Sequence, residues 1–181
     1  TTSYGKQTAA VEVEMKHACS WITINIQGDN ITGANNTSWK IKSLILDELV
    51  NSGNATLTTE AKWTLGEANE NVTLFTSNDG KALTESYVDY TGVENSTKVG
   101  EYYNLVVIPQ DVRNLTLTYE YSPQSGITAS EPKEISLAYD KDKTAWQPGV
   151  HYTYNITIGT SEILIQPTVE NWVPNENNIL L

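Results

Sequence analysis

Few side chains in this 181-residue sequence are arranged for covalent or metal chemistry. The two histidines, His17 and His151, each lack a second His or Cys at ligand spacing and read as residues at or beside strands, not as zinc ligands. Cys19 is the only cysteine, which excludes an internal disulfide and any CxxC zinc or redox site. In Asp140-Lys141-Asp142-Lys143 the two carboxylates would share one side of a strand, but with the lysines beside them a solvated turn fits better than a cation site. GxSxG, Walker, GxGxxG, HExxH and EF-hand motifs are absent. Carboxylate pairs for glycoside hydrolysis are defined by separation in space, so the 22 acidic residues make candidate pairs plentiful and uninformative. Nothing in these patterns supports an enzyme, and no cofactor is implied.

Aromatic residues suggest a different chemistry. Exposed Trp rings stack on sugars, and Trp39, Trp63 and Trp146 are candidate platforms for a glycan-binding surface module. The competing reading places the five tryptophans in the core or at its rim, where a β-sandwich needs large apolar side chains. Asn-x-Ser/Thr triplets begin at Asn30, Asn35, Asn36, Asn54, Asn71, Asn95, Asn114 and Asn155; without the paired cysteines usual in glycosylated ectodomains, they read as by-products of an Asn/Thr-rich surface.

These residues must be positioned by strands. Thr, Asn, Tyr, Ile and Val are plentiful, as in pleated, half-buried surfaces joined by Asn/Gly turns. Ile22, Ile24 and Ile26 fall on alternate positions, as do Val11, Val13 and Met15. Leu115, Leu117, Tyr119 and Tyr121 keep the same beat, followed by Tyr152, Tyr154, Ile156 and Ile158, then Ile163 and Ile165. One face of each strand therefore meets a core and the other meets water, the mark of antiparallel sheets in an all-β sandwich or barrel. Asp79-Gly80 is a candidate type I′ hairpin turn, Pro148-Gly149 a turn, and Gly159-Thr160-Ser161 a hairpin link. Lys40 to Val50 has Ile41, Leu44, Ile45 and Leu49 at helical spacing, yet its strand-like flanks favour a buried strand with a bulge. Thr91 to Gly100 reads as a long exposed loop.

With 11 basic and 22 acidic residues the formal charge is −11, which argues against nucleic acid and anionic membrane surfaces as partners. No apolar run approaches the roughly 18 residues of a membrane helix. Thr1 to Ala10 shows no signal-peptide pattern, and the start without Met is that of a mature or trimmed product.

Three stretches together resemble the C-terminal domain of fimbrillin-family proteins of Bacteroidales. They are Val11 to Ile26 with His17 and Trp21, Leu105-Val106-Val107-Ile108-Pro109-Gln110, and Trp146-Gln147-Pro148-Gly149 through Ile158 followed by Trp172. The resemblance implies an antiparallel Greek-key β-sandwich of the transthyretin-like type, one domain over residues 1–181 with 174–181 as a tail. It further implies a non-enzymatic structural or adhesive subunit of cell-surface fimbriae, partnered by other fimbrial subunits and by a host or bacterial surface glycan or protein. Membrane association would come only through a precursor's lipid anchor. In that setting the apolar end Ile179, Leu180 and Leu181 is the candidate docking strand for a neighbour's open groove; the competing reading is a frayed tail or one that folds back on its own sheet.

Overall fold

A computed structural model describes residues 16–29, 31, 37–58, 61–91, 105–123, 129–138, 144–160 and 162–172. All regular structure among them is β. The strands are β1 (Ser20–Gly28), β2 (Thr37–Leu49), β3 (Gly53–Leu57), β4 (Ala61–Leu65), β5 (Glu70–Ala82), β6 (Val88–Asp89), β7 (Leu105–Val107), β8 (Asn114–Pro123), β9 (Ala129–Ser136), β10 (Val150–Ile158) and β11 (Ile163–Asn171). One sheet runs β11-β10-β1-β6 with β7 also on β1; the second runs β5-β2-β8-β9; β3 and β4 form a separate hairpin.

The two larger sheets meet through the faces that alternation assigns to the core. Ile22, Ile24, Ile26, Tyr152, Tyr154, Ile156 and Ile158 from the first sheet join Trp39, Ile41, Leu44, Leu46, Leu115 and Leu117 from the second in one buried cluster. Burying such side chains contributes roughly 1.5–3 kcal/mol each before the entropy of ordering them is subtracted. The hydroxyls of Tyr154 and Tyr152 are satisfied locally: Trp146 Nε1–H donates to Tyr154 Oη at 2.9 Å, and the Gln147 N–H donates to Tyr152 Oη at 2.8 Å.

Segment 40–50 is a strand, and its helical look has a local cause. In β2 the buried positions run Thr37, Trp39, Ile41 and then Leu44 and Leu46, because the register shifts between Ile41 and Ser43. A bulge that adds one residue turns a spacing of two into three. Against β5 the register shifts again between Leu44 and Ile45, and a third irregularity precedes Leu49, where Glu48 takes a positive φ of 51° and its N–H donates to Asn71 Oδ1 at 2.9 Å.

Three expectations are corrected. Asp79-Gly80 is no hairpin turn: β5 pairs with β2 on both sides of it, and residues 77–80 bulge out opposite Lys42. Gly80 is needed there for its φ of +72° and because an added Cβ would lie 2.9 Å from the Lys40 Cβ. The first sheet is not purely antiparallel, since β1 and β10 pair in parallel from Trp21–His151 to Gly28–Ile158. Strands this far apart in sequence need no tight reversal between them, so local turn chemistry does not dictate their direction. Thr91 is buried and its hydroxyl receives the Ile24 N–H at 3.3 Å, so the expected exposed loop does not begin there; its remainder, 92–100, lies outside the described residues. Asp140 to Lys143 and Val11 to Met15 also lie outside them.

Candidate functional site

The described residues bring together no group of three or more His, Cys, Asp or Glu side chains able to hold a metal ion. Among the shifted titratable groups, Lys81 lies over the Tyr90 ring, and both Lys81 and His151 feel Asp89. Burial pushes the Cys19 thiol and the Tyr90 phenol up and the Lys81 amine down, the last opposed by Asp89. Burial also lowers His151, against the opposing pull of Glu170 and Asp89. The edges and ends of the sandwich offer candidate surfaces.

The first such feature is the free edge of β11. Its inward positions follow from pairing with β10: Ile163 and Ile165 lie beside Ile158 and Ile156, then Pro167 and Val169 beside Tyr154 and Tyr152. The first pair is partly buried against the core, but Pro167 is exposed and Val169 is 43% exposed, although both belong to the inner face. A proline in this strand suits an edge, where a missing N–H costs no ladder bond. Between the β10–β11 turn and the second sheet lies an open groove of about 450 Å³, lined by Trp39, Tyr119, Tyr121 and Ile135 of the second sheet and by Gly159 and Ile163 at the turn. Trp39 Nε1–H is held by the Asp29 carbonyl at 2.9 Å, and its ring lies 5.4 Å from that of Tyr121.

At the other end of β11 the chain is clasped to the start of β1. The Trp172 N–H donates to the Gly149 carbonyl at 2.7 Å, and the Gly149 N–H donates to the Cys19 carbonyl at 2.9 Å. Gly149 holds a φ of +71° in the Pro148-Gly149 turn that makes both bonds. The Trp172 ring stacks on His17 with centroids 3.7 Å apart, and Trp21 stacks on His151 at 3.9 Å. His17 and Trp172 therefore meet at one end of the sheet. Ile179, Leu180 and Leu181 lie outside the described residues.

Trp39 and Trp146 are each 1% exposed and offer no ring face to a sugar. Both occupy inner positions, Trp39 two residues before Ile41 and Trp146 over Tyr154, so the expectation of exposed platforms at these two does not hold. Trp63 is half-buried on β4, with its indole N–H donated to the Ala18 carbonyl at 2.7 Å.

Gln110 was missed as a residue of interest. It is 4% exposed, and its amide makes four hydrogen bonds: Nε2 donates to Val50 O (2.9 Å) and Ile108 O (3.0 Å), while Oε1 accepts Val50 N–H (2.9 Å) and Arg113 Nε–H (3.3 Å). It thereby acts as a surrogate peptide group for the end of β2. Its place at the end of the Leu105–Gln110 stretch was the available signal.

The sequence profile of the fimbrillin-like family matches residues 1–172. The chain belongs to the fimbrillin-like family. Solved structures similar to this chain include a putative cell adhesion protein from Bacteroides uniformis ATCC 8492 (15% identity, TM-score 0.48, covering 87% of this chain and 52% of that one). A fimbrial protein from Bacteroides vulgatus ATCC 8482 has 16% identity and a TM-score of 0.44, covering 87% of this chain and 55% of its own. The tip fimbrial protein Mfa3 from Porphyromonas gingivalis with C-terminal truncation has 14% identity and a TM-score of 0.37, covering 87% and 52%. This fimbrillin-like chain thus spans about half the length of those structures. Among curated proteins, none matches it.

Proposed function

We propose that this chain is a structural and adhesive, non-enzymatic subunit of cell-surface fimbriae and joins neighbouring subunits by β-strand addition. Family membership supports the fimbrial role. The observation that carries the mode of assembly is the edge strand β11, whose outer side is unpaired among the described strands and whose inner half at Pro167 and Val169 is uncovered. An added strand gains main-chain hydrogen bonds along such an edge and buries alternate side chains. The donor in this reading is the tail from residue 174, with Ile179, Leu180 and Leu181 as its apolar anchors, working on a single transthyretin-like domain over 1–181. The location is the cell surface.

Deleting residues 174–181 tests the reading. The truncated chain should keep the far-UV circular dichroism and unfolding midpoint of the full chain while losing incorporation into fibres, scored by sedimentation and electron microscopy. Unchanged incorporation would overturn the role of the tail.

A further inference from the structure

We infer that the cleft at the end of the sandwich beside Trp63 binds an uncharged carbohydrate. The cleft measures about 290 Å³ and is lined by Trp63 and Leu65 of β4, Pro109 and Asp111 after β7, Arg113, and Gln147 before the Pro148-Gly149 turn. That volume sits at the lower end of small-ligand sites and suits the terminal unit of a glycan more than an extended ligand.

A sugar ring presents a patch of polarised C–H bonds on one face and hydroxyls around its rim. The negative face of an indole attracts the first. Carboxylate, guanidinium and amide groups pair with the second, because each hydroxyl both donates and accepts and these planar groups offer two sites side by side. Two indoles, Trp63 and the buried Trp146, one carboxylate, one guanidinium and the amides of Gln110 and Gln147 line this single cleft, and Gln147 is the amide not already committed to the β2 corner. The opposite charges of Asp111 and Arg113 leave the cleft without the cationic excess an anionic ligand would require.

The cleft is also built to hold its shape. Trp63 is pinned through its indole N–H to Ala18 O at 2.7 Å, so the ring is fixed without involving its faces. Arg113 is steadied through Nε by Gln110, whose amide is itself held by Val50 and Ile108. The backbone under Asp111 bridges to Ala145, and the Trp146 N–H donates to Gln110 O at 2.8 Å. Groups fixed in this way pay little ordering entropy when a ligand arrives.

The inference rests on the adhesive half of the proposed function and is independent of strand addition; the assay uses the unassembled 181-residue chain, so its failure leaves the assembly test untouched. A fluorescently labelled sample is applied to an array of neutral and acidic oligosaccharides, and hits are titrated by calorimetry. Neutral glycans should bind, and Trp63→Ala should abolish binding. Should that variant disturb the β3–β4 hairpin, Asp111→Asn and Arg113→Gln decide the matter: each should weaken binding about tenfold or more at an unchanged unfolding midpoint. Absence of any neutral glycan hit, binding restricted to acidic glycans, or full affinity in both polar variants would each overturn the assignment.

Discussion

Replacing Gln110 tests whether one buried side-chain amide holds the corner where β2 ends. Gln110→Met keeps the length and approximate volume but removes every donor and acceptor. The losses are unequal. Ile108 and Arg113 are half-buried and can turn to water, whereas Val50 is buried and its N–H and C=O lose their partner at Gln110 together. An unsatisfied buried group costs about 1–3 kcal/mol, so the two Val50 groups predict a loss of about 2–6 kcal/mol. That is a large part of the roughly 5–15 kcal/mol that holds a typical domain together. Urea unfolding followed by tryptophan fluorescence reads the loss as a lower midpoint at constant slope. Gln110→Glu adds a sign. The amide orientation is settled by Val50, whose N–H can only donate and whose carbonyl can only accept, so the new oxygen faces the Val50 and Ile108 carbonyls. An ionised carboxylate is repelled there and a protonated one donates again, so the folded state raises this group's pKa. The variant should therefore be most stable below the unfolded Glu value of about 4.3 relative to Gln110→Met, and lose that advantage as pH rises through the folded value. A Gln110→Met loss below about 1 kcal/mol, or Glu and Met variants with parallel pH profiles, would refute the reasoning.

Tyr90 makes the opposite case. Its hydroxyl is buried with no hydrogen-bond partner among the described residues, while its ring meets Phe75 edge-on at 5.3 Å and lies 4.8 Å from Lys81 Nζ. Tyr90→Phe should keep both ring contacts and leave stability unchanged or raised by up to about 2 kcal/mol; a loss of more than about 1 kcal/mol in urea unfolding would mean the hydroxyl has a partner. For His151, burial holds the folded pKa below the unfolded value of about 6.5, so its contribution is complete above that value and is lost as pH falls through the folded one. Stability measured from about pH 8 down to about pH 5 should fall less in His151→Gln than in the unmodified chain; identical slopes would show that the ring's burial is not felt.

Legibility in the sequence followed the reach of each physical signal. The beat of Ile22, Ile24 and Ile26 and of Tyr152 to Ile158 was readable because one buried face imposes a period of two on any strand, whatever its partner. Asp79-Gly80 misled because a local turn signal does not reveal that the chain on both sides returns to the same partner, β2. The parallel pairing of β1 with β10 joins residues 130 apart, as between Asn25 and Asn155, whose side chains hydrogen-bond across it at 2.8 Å; no local pattern encodes such a direction. Trp39 was decidable in part, since it shares parity with Ile41, but the bulge after Ile41 hid the strand that gives parity its meaning. For Gln110 and the cleft beside Trp63, the sequence offers only fragments: Trp63 as a candidate platform and Gln110 as the end of one stretch. The corner and the cleft are assembled from four separate stretches at the end of the sandwich, where alternation stops and side chains meet by topology alone. In this all-β fold the periodic interior is therefore legible from the sequence, while the edges and ends of the sandwich become visible only once strand order and register are known.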